Sequence, residues 1–175
     1  MIATIRQASP APVSPALVSP ALVSPVRLGQ IVRAIAERPG QWRPLVQFRA
    51  ERRWYNRIEQ DDPAANYEVW LLSWLPGQQT GFHDHGEAAG AFAVAEGELL
   101  ESTARVGHAD IRSRALAVGA VRSFGAAHLH DVRNAASIPA VSVHAYSPPL
   151  SAMRRYQLTS SGLALTGTET ADEDW

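Results

Sequence analysis

The 175-residue chain has no cysteine, which excludes disulfides, thiolate metal ligands and a cysteine nucleophile. Any metal must then rest on imidazole nitrogen and oxygen, away from zinc-thiolate chemistry. No apolar run approaches the roughly 20 residues that a membrane-spanning helix needs. The amino terminus is apolar, but Pro10, Pro12, Pro15, Pro20 and Pro25 break it, so it lacks the continuous core of a secretory signal. A cytoplasmic protein is the expectation. An excess of one charge is missing too. Lys and Arg number 16 against 17 for Asp and Glu, a net charge of −1, and the arginines are scattered. That balance removes the electrostatic case for nucleic acid or an anionic membrane as a partner.

What is present suits one globular domain, with 46% hydrophobic and 19% charged residues. Ser-Pro-Ala-Leu-Val occurs twice, from Ser14 and from Ser19. Prolines at that spacing oppose helix and sheet, so residues 1–26 are expected to form a disordered tail. Leu28, Ile31, Val32 and Ile35 then recur at helical spacing up to Pro39-Gly40, and a second helical stretch is predicted over 44–48. Beyond Trp54 the pattern turns to strand. Strand-like runs cover 67–75, 91–94, 99–106, 109–116, 121–124, 141–146 and 156–165, with glycines at 97, 107, 119 and 125 between them. Short strands behind a helical flank predict an all-β barrel or sandwich over 27–165. The polar, acidic segment 166–175 is expected to fray.

The histidines carry the chemistry. On a strand, a period of two turns His83 and His85 to one face and Asp84 to the other. A second stretch, Gly119 to Asn134, holds His128 and His130, both able to face the same way. His108, beside Gly107, reads as a surface residue. Downstream, Ser142, His144 and Tyr146 also fall at period two, so a hydroxyl, an imidazole and a phenol can form a hydrogen-bonded row. Upstream, Tyr55-Asn56-Arg57 offers an arginine, the side chain suited to a two-pronged carboxylate contact.

The paired histidine stretches resemble the two motifs of the cupin superfamily, which implies a small cupin β-barrel (double-stranded β-helix, or jelly roll) with a short N-terminal helical flank. The first motif's usual acidic ligand falls near Ala89 or Gly90 and is missing; Glu87 is off register. Spacing to Asn134 favours His130 over His128 as third ligand. With Tyr55-x-Arg57, Leu129-His130-x-Val132-x-Asn134 and Ser142-x-His144-x-Tyr146-Ser147-Pro148-Pro149, the set resembles the cysteine dioxygenase family of thiol dioxygenases, from about Leu28 to Leu158.

The resemblance implies Fe(II) held by His83, His85 and His130, with L-cysteine and O2 as partners. It implies a substrate carboxylate on Arg57 beside Tyr55, and a tyrosine hydroxyl, Tyr146, held by His144 and Ser142 at the iron site. The product would be cysteine sulfinic acid. Animal members crosslink that tyrosine to a cysteine at the position matching Gly90; here Tyr146 stays a free phenol, as in bacterial relatives. A monomer is expected. Three rivals stand beside this reading: a dioxygenase for 3-mercaptopropionate or another thiol, whose relatives carry glutamine for the arginine; a zinc or manganese cupin isomerase; and a non-catalytic metal-binding cupin that senses a small ligand.

Overall fold

The computed structural model describes residues 21–59, 65–108 and 110–170. Most of the proline-rich tail and the last five residues lie outside this range. The described chain begins with helix α1 (Pro25–Ala36), α2 (Pro39–Trp42) and a 3-10 turn (Arg43–Leu45). Eleven strands follow: β1 (Trp54–Ile58), β2 (Glu68–Trp74), β3 (Phe82–Asp84), β4 (Ala89–Glu96), β5 (Glu98–Ala104) and β6 (Arg112–Ala117), then β7 (Val121–Phe124), β8 (Leu129–Arg133), β9 (Ala140–Ser147), β10 (Ala152–Thr159) and β11 (Gly162–Thr170). They form two antiparallel sheets, in the orders β1-β2-β9-β4-β7 and β11-β10-β3-β8-β5-β6. The all-β cupin expectation holds, and no helix among the described residues is long and apolar enough to cross a membrane.

Local chemistry explains where the elements differ from the sequence reading. Helix α1 starts at Pro25, because Ser24 caps it by accepting from the Arg27 N–H at 3.3 Å and proline suits the first turn. Pro39 likewise suits the first turn of α2, which no side chain caps, so the second helical piece begins before 44–48. The run 156–165 is a hairpin rather than one strand: Gly162, at φ +109°, turns β10 into β11. β11 then continues through Thr170, where fraying was expected, because 168–170 pair with 152–154 of β10.

Two apolar layers hold the fold. Leu28 and Val32 of α1 are fully buried against Val69, Leu71, Ala91, Val143 and Ala145 on the outer face of the first sheet. Burial of each such aliphatic side chain contributes roughly 1.5–3 kcal/mol. Trp74, Phe92, Val94, Leu99 and Val132 fill the space between the sheets. The functional groups sit on that same inward face.

Candidate metal centre and cavity

Strands β3 and β8 meet with His83 directly opposite His130. His85 lies one residue beyond β3 and returns to the same face. The ring centroids stand 4.8 Å apart for His83–His85, 4.7 Å for His83–His130 and 5.1 Å for His85–His130. All three are buried, and one nitrogen from each falls within 4.8 Å of the others.

Hydrogen bonding fixes which nitrogens are available. His83 Nδ1 donates to the Gly81 carbonyl at 3.0 Å, and His130 Nδ1 donates to Glu101 Oε1 at 3.0 Å. Both therefore turn Nε2 inward. His85 has both ring nitrogens buried without a partner. An orphaned buried polar group costs about 1–3 kcal/mol, which a bound cation would relieve. Burial, then the neighbouring histidines, pushes the pKa of His85 well below the usual value, and burial followed by His130 does so for His83. Neutral imidazoles are the form that ligates a metal. The residues fit a three-histidine metal site.

Glu101 was not foreseen. Its strand reads Glu-Leu-Leu-Glu, so the sequence does not say which acid turns inward. It is 1% exposed and accepts from Arg122 Nε at 2.5 Å, His128 Nε2 at 2.9 Å and His130 Nδ1. Burial alone would raise its pKa, but the bonds from His128, His130 and Arg122 hold it well below the carboxylate range. Glu101, His128 and His130 also approach one another closely enough for a metal. The carboxylate's oxygens are already taken, however, so it serves as the acceptor that orients His130. His128 accordingly joins Glu101 rather than the histidine cluster. A groove of about 430 Å³ bordered by Arg105, Arg112, Arg122 and His128 opens nearby without reaching the three histidines.

The Ser-His-Tyr row has a definite polarity. The Trp74 indole N–H, which can only donate, reaches Ser142 Oγ at 2.9 Å. Ser142 Oγ lies 2.8 Å from His144 Nε2, and His144 Nδ1 lies 3.2 Å from Tyr146 Oη. If Ser142 donates to Nε2, the Nδ1–H donates to Tyr146, and the phenol keeps its own proton for the cavity. Burial raises the Tyr146 pKa, so it stays a phenol at neutral pH.

One cavity joins these groups. Its walls include His83, His130, His144, Tyr146, Tyr55, Arg53 and Arg155. Arg57 is elsewhere: 60% exposed, with Nε 3.7 Å from Glu68. Arg53, Tyr55 and Arg57 share one face by strand period, and the cavity takes Arg53 and Tyr55 while Arg57 projects past its rim. Arg53 lies over the Trp74 ring at 5.0 Å and donates to the Gln79 carbonyl at 3.1 Å, while its Nε is buried unpartnered. Burial, then Arg155, lowers its pKa to about 10. Asp84 faces away from the cavity, held by Arg154 at 2.9 Å and the Tyr156 hydroxyl at 2.7 Å. Gly90 lies against Tyr146 and Phe124, where a Cβ would stand 2.9 Å and 2.5 Å from their rings. Asn134 is structural, donating to the Trp74 and Ile138 carbonyls at 3.1 and 2.8 Å.

Solved structures share the fold. TT1209 from Thermus thermophilus superposes with a TM-score of 0.52 at 22% identity, over 61% of this chain and 93% of its own. An uncharacterized conserved protein with a double-stranded beta-helix domain, from Klebsiella pneumoniae, gives 0.51 at 17% identity, over 71% and 93%. The family model described as cysteine dioxygenase type I matches residues 15–159, most of the chain, and within that span fall the three histidines, the Ser-His-Tyr row and the arginine-lined cavity. This chain belongs to the cysteine dioxygenase type I family.

Proposed function

We propose that the protein is an Fe(II)-dependent thiol dioxygenase that oxidises a small carboxylated thiol to its sulfinic acid, with L-cysteine as the first substrate to test. The observation that carries this reading is the shared cavity: His83 and His130, the Tyr146 phenol and the half-buried Arg53 guanidinium all face it. A bare three-histidine site would suit many reactions; a half-buried cation beside it selects an anion. The reaction adds both atoms of O2 to sulfur, RSH becoming RSO2H, so no further reductant is needed.

His83, His85 and His130 would hold the iron, which when bound supplies the Lewis acidity and redox chemistry for thiolate and dioxygen. The protein's own residues do the rest. Arg53 takes the substrate carboxylate through its uncommitted N–H groups and fixes the molecule's orientation. Apolar walls from Leu72, Val132, Leu150 and Met153 exclude water. Tyr146, oriented by His144, Ser142 and Trp74, directs its O–H into the cavity.

The test is oxygen uptake by iron-loaded protein on adding L-cysteine, with sulfinate assayed alongside. One-to-one uptake and product, abolished by His85→Ala, supports the reading. Uptake with 3-mercaptopropionate alone keeps the chemistry and changes the thiol. No uptake with any carboxylated thiol at full iron occupancy would refute it.

A further inference from the structure

Behind His130 lies the second opening of the barrel, and its walls carry charge on the face that is elsewhere apolar. Residues paired across antiparallel strands share a face. Glu101, Thr103 and Arg112 therefore lie on the inward face with His130. Further along the same strands that face is core, with Leu99, Leu116 and Val132. On the other sheet, β7 sets Arg122 inward, opposite the core residue Phe92. Arg112 and Arg122, from the edge strands β6 and β7, join Arg105, one residue beyond β5, around the groove of about 430 Å³.

The charge there is largely uncompensated. Asp110 is the single carboxylate among the described residues that border the groove. Neither the Arg105 nor the Arg112 side chain makes a hydrogen bond or ion pair among the described residues. Arg122 commits only Nε, to Glu101, so both its terminal nitrogens keep their N–H groups open. The bland alternative is a solvated barrel end. Arginines of that kind sit at outward positions, as Arg133 does opposite Leu100, whereas Arg112 and Arg122 occupy inward ones. Guanidiniums arriving from three chain segments surround a ligand from several directions. One fork satisfies a planar carboxylate, but a phosphate monoester presents three acceptor oxygens and close to two negative charges. The groove falls in the range of small-molecule sites, about 300–1,000 Å³, which leaves room for the organic part of an ester.

We infer that this groove is an effector site for a phosphate monoester of a small molecule, coupled to the metal centre. Arg122 is shared between the groove and Glu101, and Glu101 in turn holds His130. A phosphate that draws on Arg122 leaves the Glu101 carboxylate a stronger acceptor for the His130 N–H, and it adds negative charge behind that ring. Both effects favour a dication on the far side. Groove occupancy thus tightens metal binding, and by linkage the metal tightens phosphate binding by the same factor. The inference needs the three-histidine site but not the thiol-dioxygenase reading, and its test uses no oxygen uptake.

The test is anaerobic titration calorimetry of the full iron-loaded chain with ribose 5-phosphate, inorganic phosphate and ribose, followed by chelator competition for the iron with and without ribose 5-phosphate. The ester is expected to bind at one site, more tightly than inorganic phosphate, and ribose not at all. Arg112→Gln should weaken ester binding about 10-fold or more, the loss of a charge-assisted hydrogen bond. Arg105→Gln should do the same, and it keeps the test decisive should Arg112→Gln fold poorly. With the ester present, iron should be held at least about fivefold more tightly, a gain that vanishes in Arg112→Gln. No ester binding at millimolar concentration, binding indifferent to both substitutions, inorganic phosphate binding as tightly as the ester, or iron affinity unmoved by the ester would each overturn the inference.

Discussion

Arg53→Gln should make the protein more stable and less able to bind its substrate. Burial and then Arg155 lower the Arg53 pKa from 12.5 to about 10. At neutral pH the group remains charged, and holding it so costs on the order of 3 kcal/mol. The Trp74 stacking and the Gln79 contact offset about 1–2 kcal/mol of that. Neutral glutamine loses these contacts and the desolvated charge together, so a net gain of about 1–2 kcal/mol in unfolding free energy is expected. Substrate binding moves the other way. Loss of a two-pronged contact to a carboxylate, about 2–4 kcal/mol, lowers kcat/KM roughly 30- to 1000-fold. Arg57→Gln is the control: an exposed pair at 3.7 Å contributes at most about 1 kcal/mol, and kcat/KM should change less than about threefold. Urea melts of metal-free protein and initial oxygen-uptake rates check both halves. A destabilised Arg53→Gln with unaltered kcat/KM, or a larger loss of activity in Arg57→Gln, would refute the reasoning.

Glu101→Gln should weaken metal binding about 10- to 100-fold in a chelator competition, because a neutral amide offers one oxygen to three donors and holds the His130 Nδ1–H less firmly. Gly90→Ala should lower stability by about 1–3 kcal/mol in a thermal melt, since its Cβ would press on the Phe124 and Tyr146 rings, which are themselves packed. Metal-free protein should lose stability as pH falls below about 6.5. His83, His85 and His144 are held below their ordinary pKa by burial, so the unfolded chain takes up protons there first. A flat melting temperature from pH 7 to 5 would contradict that. Tyr146→Phe should leave binding of a carboxylated thiol within about threefold in anaerobic fluorescence titration while slowing oxygen uptake, as the phenol's proton faces the cavity but its ring is replaced in kind.

The sequence made the barrel legible because its signals are local. Glycines mark the turns, and period two places His83 with His85 and Ser142 with His144 and Tyr146, as the structure has them. What it hid depends on long-range register. Arg53, Tyr55 and Arg57 share one face by alternation, and only the pairing of β1 with β2 against a closing barrel decides which of them reaches the interior. Arg154 and Arg155 are adjacent residues with opposite destinations, set by the pairing of β10 with β3. Glu101 finds its partners 21 to 29 residues further along the chain, a separation no local pattern reports. The hairpin at Gly162 was missed because β10 and β11 read as one continuous strand-like run.

Trp74 touches two machines at once. Its ring face lies under Arg53, and its edge N–H begins the row that ends at the Tyr146 phenol. Carboxylate recognition and phenol placement therefore share one mechanical support, and neither can be retuned through Trp74 without disturbing the other. Substitutions at Arg53 and Ser142 should show epistasis that disappears once Trp74 is replaced. In evolutionary terms, the rigid indole confines change in substrate preference to the side of the cavity that it does not touch.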